Sequence, residues 1–464
     1  MCLVPLVVWI LLSGLDDLFI SLVYFLSRSR HFPWPADAPL QAAPERRIAI
    51  FVPLWHEREV IGEMLDHNLA SIGYANYDIF VGVYPNDLPT VRAVNLAASR
   101  HPRVHVARCP HNGPTSKGDC LNWIYRRMVE FEEQQAVHFD LVVTHDAEDW
   151  IHADSLRLIN WFSRDYEMVQ IPVLPLPTHP ADVTHGLYCD EFAEYQCKDI
   201  PVRQRLGGFL PANGVGTGFD RAALERLAAS RNGKMFDPEC LTEDYETGFL
   251  LHAQGCRQIF VPLRFGGPGL AKAGLAKVGL VATREYFPRR FRASVRQRSR
   301  WVAGIALQGW QHHGWHGPWR QVYWFWRDRK GLAGNLLSPV STLFCFYGLA
   351  SYMFSKCTGA PTNLGTHLAA WVSGAFCCTL CISLIQGGVR MQASAAVYGW
   401  RFALTVPARI PWGNLVNFAA TVAALHQFLV ARVQGRGLAW HKTEHVYPVA
   451  QLREAVAATL RVAS

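Results

Sequence analysis

Apolar residues are spread unevenly along the chain, with long runs near both ends and short runs in the middle. Residues 3–26 are mostly apolar and about long enough to cross a bilayer. Asp16 and Asp17 interrupt this run. Carboxylates in hydrocarbon are costly, so either they face other helices or the segment lies partly in the membrane interface. The run lacks a basic start and a small-residue cleavage site, so a removed signal peptide is not expected. Residues 332–354 and 367–386 are two further candidate spans. The stretch 393–433 is apolar but broken by Arg401, Pro407, Arg409 and Pro411. It reads as a span plus an interfacial helix, or as two short spans, which puts the total at about three to five.

The middle of the chain has a different rhythm. Short runs rich in Val and Ile fall at 48–54, 79–84, 104–107, 141–144, 169–174 and 259–263, with helical patterns between them. From Glu59 onward, Val60, Ile61, Met64, Leu65, Asn68 and Leu69 share one helical face. Strands buried on both faces and separated by helices predict an α/β domain with a mostly parallel sheet. Ligands of such sheets bind beyond the carboxyl ends of the strands.

Composition sharpens this picture. The chain has 464 residues, which leaves room for a catalytic domain beside a membrane region. Half of the residues are hydrophobic, with 16 Trp and 25 Phe, which favours an integral membrane protein. The net charge of +8 raises the question of nucleic acid. However, Arg28, Arg30, Arg46, Arg47 and then Arg289, Arg290, Arg292 and Arg296 cluster beside apolar stretches. They read as charge at the surface of membrane lipids, and no nucleic-acid partner is expected. Basic residues follow the first span and none precede it, which places the next domain in the cytoplasm. The 12 cysteines show no disulfide-framework spacing, as suits a reducing compartment.

Polar residues gather where the predicted strands end. The first ends in Pro53-Leu54-Trp55-His56-Glu57, the second in Tyr84-Pro85-Asn86-Asp87, and the fourth in His145-Asp146-Ala147-Glu148-Asp149. Taken alone, Asp87 fits a helix cap as well as a ligand contact. The last cluster is more telling, because three carboxylates in four residues repel one another unless a cation neutralises them. Side chains two apart on an extended segment point the same way, so Asp146 and Glu148 can reach one Mg²⁺ or Mn²⁺. Such an ion would hold a nucleotide-sugar diphosphate as a leaving group.

Further along stand Thr242-Glu243-Asp244 and Gln297-Arg298-Ser299-Arg300-Trp301. With Lys117-Gly118-Asp119-Cys120-Leu121-Asn122 and Asp146-Ala147-Glu148, this ordered set over residues 47–301 resembles glycosyltransferase family two, especially its cellulose and hyaluronan synthase branch. The resemblance implies a GT-A nucleotide-sugar-binding domain flanked by transmembrane and interfacial helices. It divides the chain into an N-terminal membrane segment (1–30), a cytoplasmic catalytic domain (45–270), interfacial helices carrying Q-x-x-R-W (271–330), a membrane or interfacial region (331–433) and a cytoplasmic tail (434–464). It also implies roles. Pro53, Glu57, Asp87, Lys117 and Asp146 bind the nucleotide-sugar, with Asp87 on the uracil or ribose and Lys117 on the diphosphate. Asp146 and Glu148 hold the metal. Asp244, with Glu243 beside it, is the catalytic base, and Gln297, Arg300 and Trp301 serve the acceptor and the leaving diphosphate.

Two departures qualify the resemblance. Glu148 replaces the second Asp of D-x-D, which leaves open whether Asp149 shares the metal, and the membrane region is smaller than that of cellulose synthase. The segment Trp440 to His445 is a candidate gating loop or a helix entry. Ser13 to Asp17, Tyr84 to Asp87, His145 to Asp149 and Pro411 to Asn414 together resemble the bacteriophage adsorption protein B (NfrB-like) inner-membrane glycosyltransferases. That group implies a surface glycan product and an outer-membrane export partner. Some members carry a C-terminal cyclic di-GMP-sensing domain, which is not expected in this sequence. The implied function is inverting transfer of a hexosyl unit, an N-acetylhexosamine above all, from a UDP-sugar to a growing exported polysaccharide at the bacterial inner membrane. The competing readings are transfer of one sugar to a polyprenyl-phosphate lipid, and a non-catalytic membrane scaffold or phage-receptor component.

Overall fold

The computed structural model describes residues 3–27, 32, 34–262, 280–359 and 370–438. They fall into two units. The described residues of His31–Leu176 and Arg203–Phe287 form an α/β unit, and those of Met1–Arg30, Pro177–Val202 and Pro288–Arg436 form a helical one.

The α/β unit is built on a seven-stranded sheet. Its strands are β1 (Ile48–Pro53), β2 (Tyr77–Val83), β3 (Val104–Arg108), β4 (Leu141–Thr144), β5 (Met168–Gln170), β7 (Thr217–Asp220) and β8 (Gln258–Phe260), ordered β3-β2-β1-β4-β7-β5-β8. The β1–β2, β1–β4, β2–β3 and β5–β8 pairs are parallel, whereas β7 runs antiparallel to both β4 and β5. Strands β2 and β4 are buried along their whole length, which is why they read as continuous apolar runs. The run at 169–174 is two strands rather than one. Its first half is β5, while β6 (Val173–Pro175) pairs with β9 (Thr283–Glu285) in a separate two-stranded sheet. Pro172, which has no N–H to offer a ladder, separates them. Strand β7 carries Gly218 against Ile159, where a Cβ would lie 2.3 Å from the isoleucine Cγ2.

The helix predicted from Glu59 is Ile61–Ser71, with Ile61, Met64, Leu65 and Asn68 buried. Asn68 is the polar member of this inward face. Its Nδ2 donates to the Asp149 carbonyl at 2.8 Å, and its Oδ1 accepts the Ile151 N–H at 3.0 Å. The core helix thereby braces the loop that follows β4.

Among the described residues, three segments of the helical unit are long and apolar enough to cross a membrane: Leu6–Ser27, Trp319–Thr358 and Val406–Gln434. The candidate span at 367–386 is described from Ala370 and belongs to the 29-residue helix Ala370–Tyr398. Asp16 and Asp17 face another helix. Lys330 Nζ lies 2.8 Å from Asp16 and 2.7 Å from Asp17, Tyr323 donates to Asp16 at 2.8 Å, and Arg327 pairs with both acids. The break expected within 393–433 lies beside Arg401, where the short helix Trp400–Ala403 separates Ala370–Tyr398 from Val406–Gln434, and not at the prolines. Val406–Gln434 is one continuous helix despite Pro407 and Pro411, and the chain turns instead at Gly399, with φ +86°. Pro407 sits in the first turn, where a missing N–H costs nothing. Arg409 breaks nothing either. It is buried and paired with Asp190 at 2.6 Å, beside Gly186, where a Cβ would come within 3.0 Å of the arginine Cδ.

Candidate active site

The site in the α/β unit starts from the acid loop after β4. Its three carboxylates are not equivalent. Asp149 is fully buried and turned inward, with Oδ2 2.7 Å from His145 Nδ1 and accepting the Asp146 N–H at 3.0 Å. The segment is a turn and not the extended run expected, so alternation does not aim Asp146 and Glu148 the same way. Glu148 is buried, whereas the Asp146 side chain is about a third exposed. Burial pushes the His145 imidazole down to about 3, so the ring is neutral. Burial, reinforced by the Asp146 charge, raises Asp149.

Asp146 faces Lys117. Helix Lys117–Gln135 is capped by Ser116, whose hydroxyl accepts the Asp119 N–H at 3.2 Å. Gly118 brings this helix start against the Asp237 carbonyl, which would lie 2.6 Å from any Cβ. Lys117 is thereby held in the first turn with Nζ 2.6 Å from Asp146 Oδ1 and 3.4 Å from the Gly214 carbonyl that accepts its proton. Gly214 has φ +76°, and a Cβ there would lie 2.5 Å from Asp244 Oδ2 and 3.3 Å from Lys117 Nζ. Asp244 and Glu243 open helix Glu243–Ala253, where negative charge meets the positive end of the helix dipole. The structure thus brings Lys117, Asp146, Glu243 and Asp244 together around a glycine turn.

The charges are unbalanced. Burial by itself would lower Lys117, but Asp146, Glu243 and Asp244 outweigh it and raise the ammonium. Glu243 is pushed up to about 8, by burial first and the Asp244 charge second, with Lys117 opposing. One lysine among three acids leaves room for a divalent cation, and the carboxylate-rich donor set suits Mg²⁺ or Mn²⁺.

The loops after β1 and β2 leave the same carboxyl edge as the acid loop, since the three strands are parallel. Asp87 both caps helix Leu88–Arg100 and accepts the His56 N–H at 2.7 Å, so it ties the two loops together. The buried Glu57 donates its N–H to Thr90 Oγ1 at 3.0 Å, and Pro53 is the last residue of β1. Asn86 makes a two-way bond with Gly113, donating to its carbonyl at 2.7 Å and accepting its N–H at 2.8 Å. Trp55 stands edge-on to Tyr84, 5.4 Å between centroids.

Gln297, Arg300 and Trp301 belong to the helical unit, on helix Phe291–Trp301. Gln297 is buried, and Arg300 and Trp301 are partly exposed. The Trp301 ring packs 6.1 Å from Tyr188 and 6.2 Å from Phe192. Beyond it the helix widens into a π-turn over Val302–Gln308, a feature common at functional sites. The candidate gating segment Trp440 to His445 lies outside the described residues.

Sequence reasoning missed Gly214 and Asn86 in the α/β unit and the packing role of Arg298 in the helical unit. Gly214 sits in the run Asn213-Gly214-Val215-Gly216-Thr217-Gly218, whose glycine spacing was the available signal. Asn86 was visible only as a polar neighbour of Asp87. Arg298 lies inside the Q-x-x-R-W motif yet is buried, 2.6 Å from Glu191, 2.8 Å from Asn417 and 4.2 Å over the Tyr188 ring.

The mostly parallel sheet has one antiparallel strand and carries the acid loop at its carboxyl edge. The family model described as "Glycosyltransferase like family 2" matches residues 44–304, and the chain belongs to that family. The chain is 36% identical over 462 residues to bacteriophage adsorption protein B of Escherichia coli K12, and equally so to bacteriophage N4 adsorption protein B of E. coli O157:H7. These alignments cover 96% of this chain but 62% of each relative. Among solved structures, the mannosyltransferase PcManGT from Pyrobaculum calidifontis, in complex with GDP-Man and Mn²⁺, is 16% identical with a TM-score of 0.49, covering 87% of this chain and 98% of that one. Glucosyl-3-phosphoglycerate synthase from Mycobacterium tuberculosis, in complex with Mn²⁺, UDP and glucosyl-3-phosphoglycerate, is 16% identical with a TM-score of 0.31, over 54% of this chain and 83% of that one.

Proposed function

We propose that this glycosyltransferase moves a hexosyl unit, an N-acetylhexosamine above all, from a UDP-sugar to a growing exported polysaccharide, with inversion, at the cytoplasmic face of the bacterial inner membrane. An outer-membrane partner would complete export. The observation that carries this reading is the cluster of Lys117, Asp146, Gly214, Glu243 and Asp244.

Asp146 and Glu148 would hold Mg²⁺ or Mn²⁺, which when bound supplies charge neutralisation for the diphosphate. Lys117 adds a fixed positive charge beside it. Asp244 takes the proton from the acceptor hydroxyl as that oxygen bonds to the anomeric carbon and the carbon–diphosphate bond breaks. Burial and the Asp244 charge hold Glu243 toward its neutral form, which limits the negative charge beside the base. Direct attack needs no covalent nucleophile, and one displacement inverts the anomeric centre. Pro53, Glu57 and Asp87 shape the nucleotide wall. Gln297, Arg300 and Trp301 receive the acceptor, Arg through its planar fork and Trp through a flat apolar face.

A second observation bears on the acceptor. The helical unit has a partly open cleft of about 420 Å³ whose wall sets Ser338, Thr379, Ser383, Gln386 and Asn414 beside the apolar Trp9, Ile10, Ile382 and Ile410. Its acids, Asp17, Glu194 and Asp199, outnumber its bases, Lys198 and Arg390. Hydroxyls and amides with no excess positive charge suit an uncharged glycan better than a lipid phosphate. The test is to supply reconstituted protein with radiolabelled UDP-sugars and to size the product. A chain-length distribution retained in the aqueous phase supports the reading. A single product extracted into organic solvent would favour the polyprenyl-phosphate alternative.

A further inference from the structure

We propose that the buried His145–Asp149 pair is a positioning device for the loop that carries Asp146 and Glu148, and that Asp149 is not itself a metal ligand. This rests on the reading of Asp146 and Glu148 as the cation's ligands.

Both side chains are 0% exposed, although they flank a loop made of acids. The Asp149 carboxylate spends one oxygen on the loop's own main chain, accepting the Asp146 N–H at 3.0 Å while facing His145 Nδ1 at 2.7 Å. The Asp149 N–H returns to the Asp146 carbonyl at 3.3 Å, which closes a tight turn around Asp146, Ala147 and Glu148. Each end of that turn is then anchored elsewhere. The His145 N–H donates to the Phe51 carbonyl of β1 at 3.0 Å, and the Asp149 carbonyl accepts from Asn68 at 2.8 Å. The loop is thus fixed to the sheet on one side and to helix Ile61–Ser71 on the other.

Stability alone gives a poor account of this pair. A buried acid and imidazole are costly to desolvate, and apolar residues of similar volume often serve as well or better. Here the cost is incompletely offset, because His145 Nε2 and Asp149 Oδ1 are buried with no hydrogen-bond partner among the described residues. What the pair supplies, and apolar residues cannot, is a fixed acceptor for the Asp146 N–H. That fixes the backbone from which Asp146 and Glu148 project. Groups that orient metal ligands in this way change metal affinity by about 10- to 100-fold when removed.

The test is an electron paramagnetic resonance titration of the full chain in detergent with Mn²⁺ alone, read from the six-line signal of the free ion. Asp149→Leu removes the acceptor and His145→Leu removes its partner, and each is expected to weaken Mn²⁺ binding about 10- to 100-fold. Asp149→Asn keeps a side-chain oxygen to accept the Asp146 N–H, and His145→Asn keeps a polar partner beside it, and each is expected to stay within about threefold of wild type. Asp149→Glu keeps the buried acid but lengthens its reach by a methylene. It gives the same reading, a loss of about tenfold or more, should the leucine variants not fold. Leucine or glutamate variants that bind Mn²⁺ like wild type, with only their unfolding temperature lowered, would overturn the proposal and leave a purely structural pair. Undiminished binding by Asp146→Ala would overturn it differently, because the ligand assignment beneath it would be wrong.

Discussion

Replacing Gly214 by alanine perturbs the candidate site by a single methyl group. At φ +76° any L-residue is strained, by about 1–2 kcal/mol. The added Cβ would also lie 2.5 Å from Asp244 Oδ2, closer than real contacts allow, and 3.3 Å from Lys117 Nζ. Overpacking of this kind costs about 1–3 kcal/mol more unless the carboxylate moves. If Asp244 relieves the clash by shifting about 1 Å, a base at that position loses about 100-fold in turnover. Gly233→Ala is the internal control, because Gly233 has φ +79° and nothing within 4 Å of its would-be Cβ. It carries the same backbone strain with no neighbour to displace. The assay is donor turnover by purified protein, with unfolding temperature measured alongside. Gly214→Ala is expected to lose about 100-fold in kcat, while Gly233→Ala loses stability only. Equal turnover in the two variants would refute the placement of Asp244 as a base held against this turn.

Two further outcomes follow from the charges. Glu243 is raised to about 8 from an ordinary 4.5, so its contribution to metal-free stability is full below about pH 4.5 and is lost as pH rises through 8. Glu243→Gln is therefore expected to flatten the fall in unfolding free energy between pH 5 and 9, by an amount on the order of a few kcal/mol; identical pH profiles would contradict the shift. Asp16→Leu leaves Lys330 and Arg327 short of a partner and is expected to cost about 3 kcal/mol or more in detergent, with much of that recovered by adding Lys330→Leu. A single variant as stable as wild type would show that the pairs carry no weight.

Much of this architecture was legible in the chain because strands buried on both faces leave uninterrupted Val and Ile runs, as in β1, β2 and β4. Strand β7 was not, since four residues with a central glycine present no apolar run. The acid cluster was visible as a cluster. Which of its members turns inward was not, because that depends on His145, Asn68 and the main chain of Asp146 meeting in three dimensions. Asp16 and Asp17 could be read as paired or interfacial, and their pairing depends on Arg327 and Lys330, far along the chain. Prolines 407 and 411 looked like breaks because their effect depends on where in a helix they fall. The glycine turn at Gly214 went unread for the same reason: its role is set by φ and by what its missing Cβ would touch.

The most direct test of the central claim is release of nucleoside diphosphate by membrane-reconstituted protein across a panel of UDP- and GDP-sugars with Mg²⁺ or Mn²⁺, wild type beside Asp244→Asn. The account predicts turnover of a UDP-sugar by wild type and a loss of about 100-fold or more in the variant, the scale of a removed general base. Turnover in Asp244→Asn equal to wild type would contradict the assignment of the base, and a wild type inert toward every donor in the presence of acceptor glycan would contradict the enzyme.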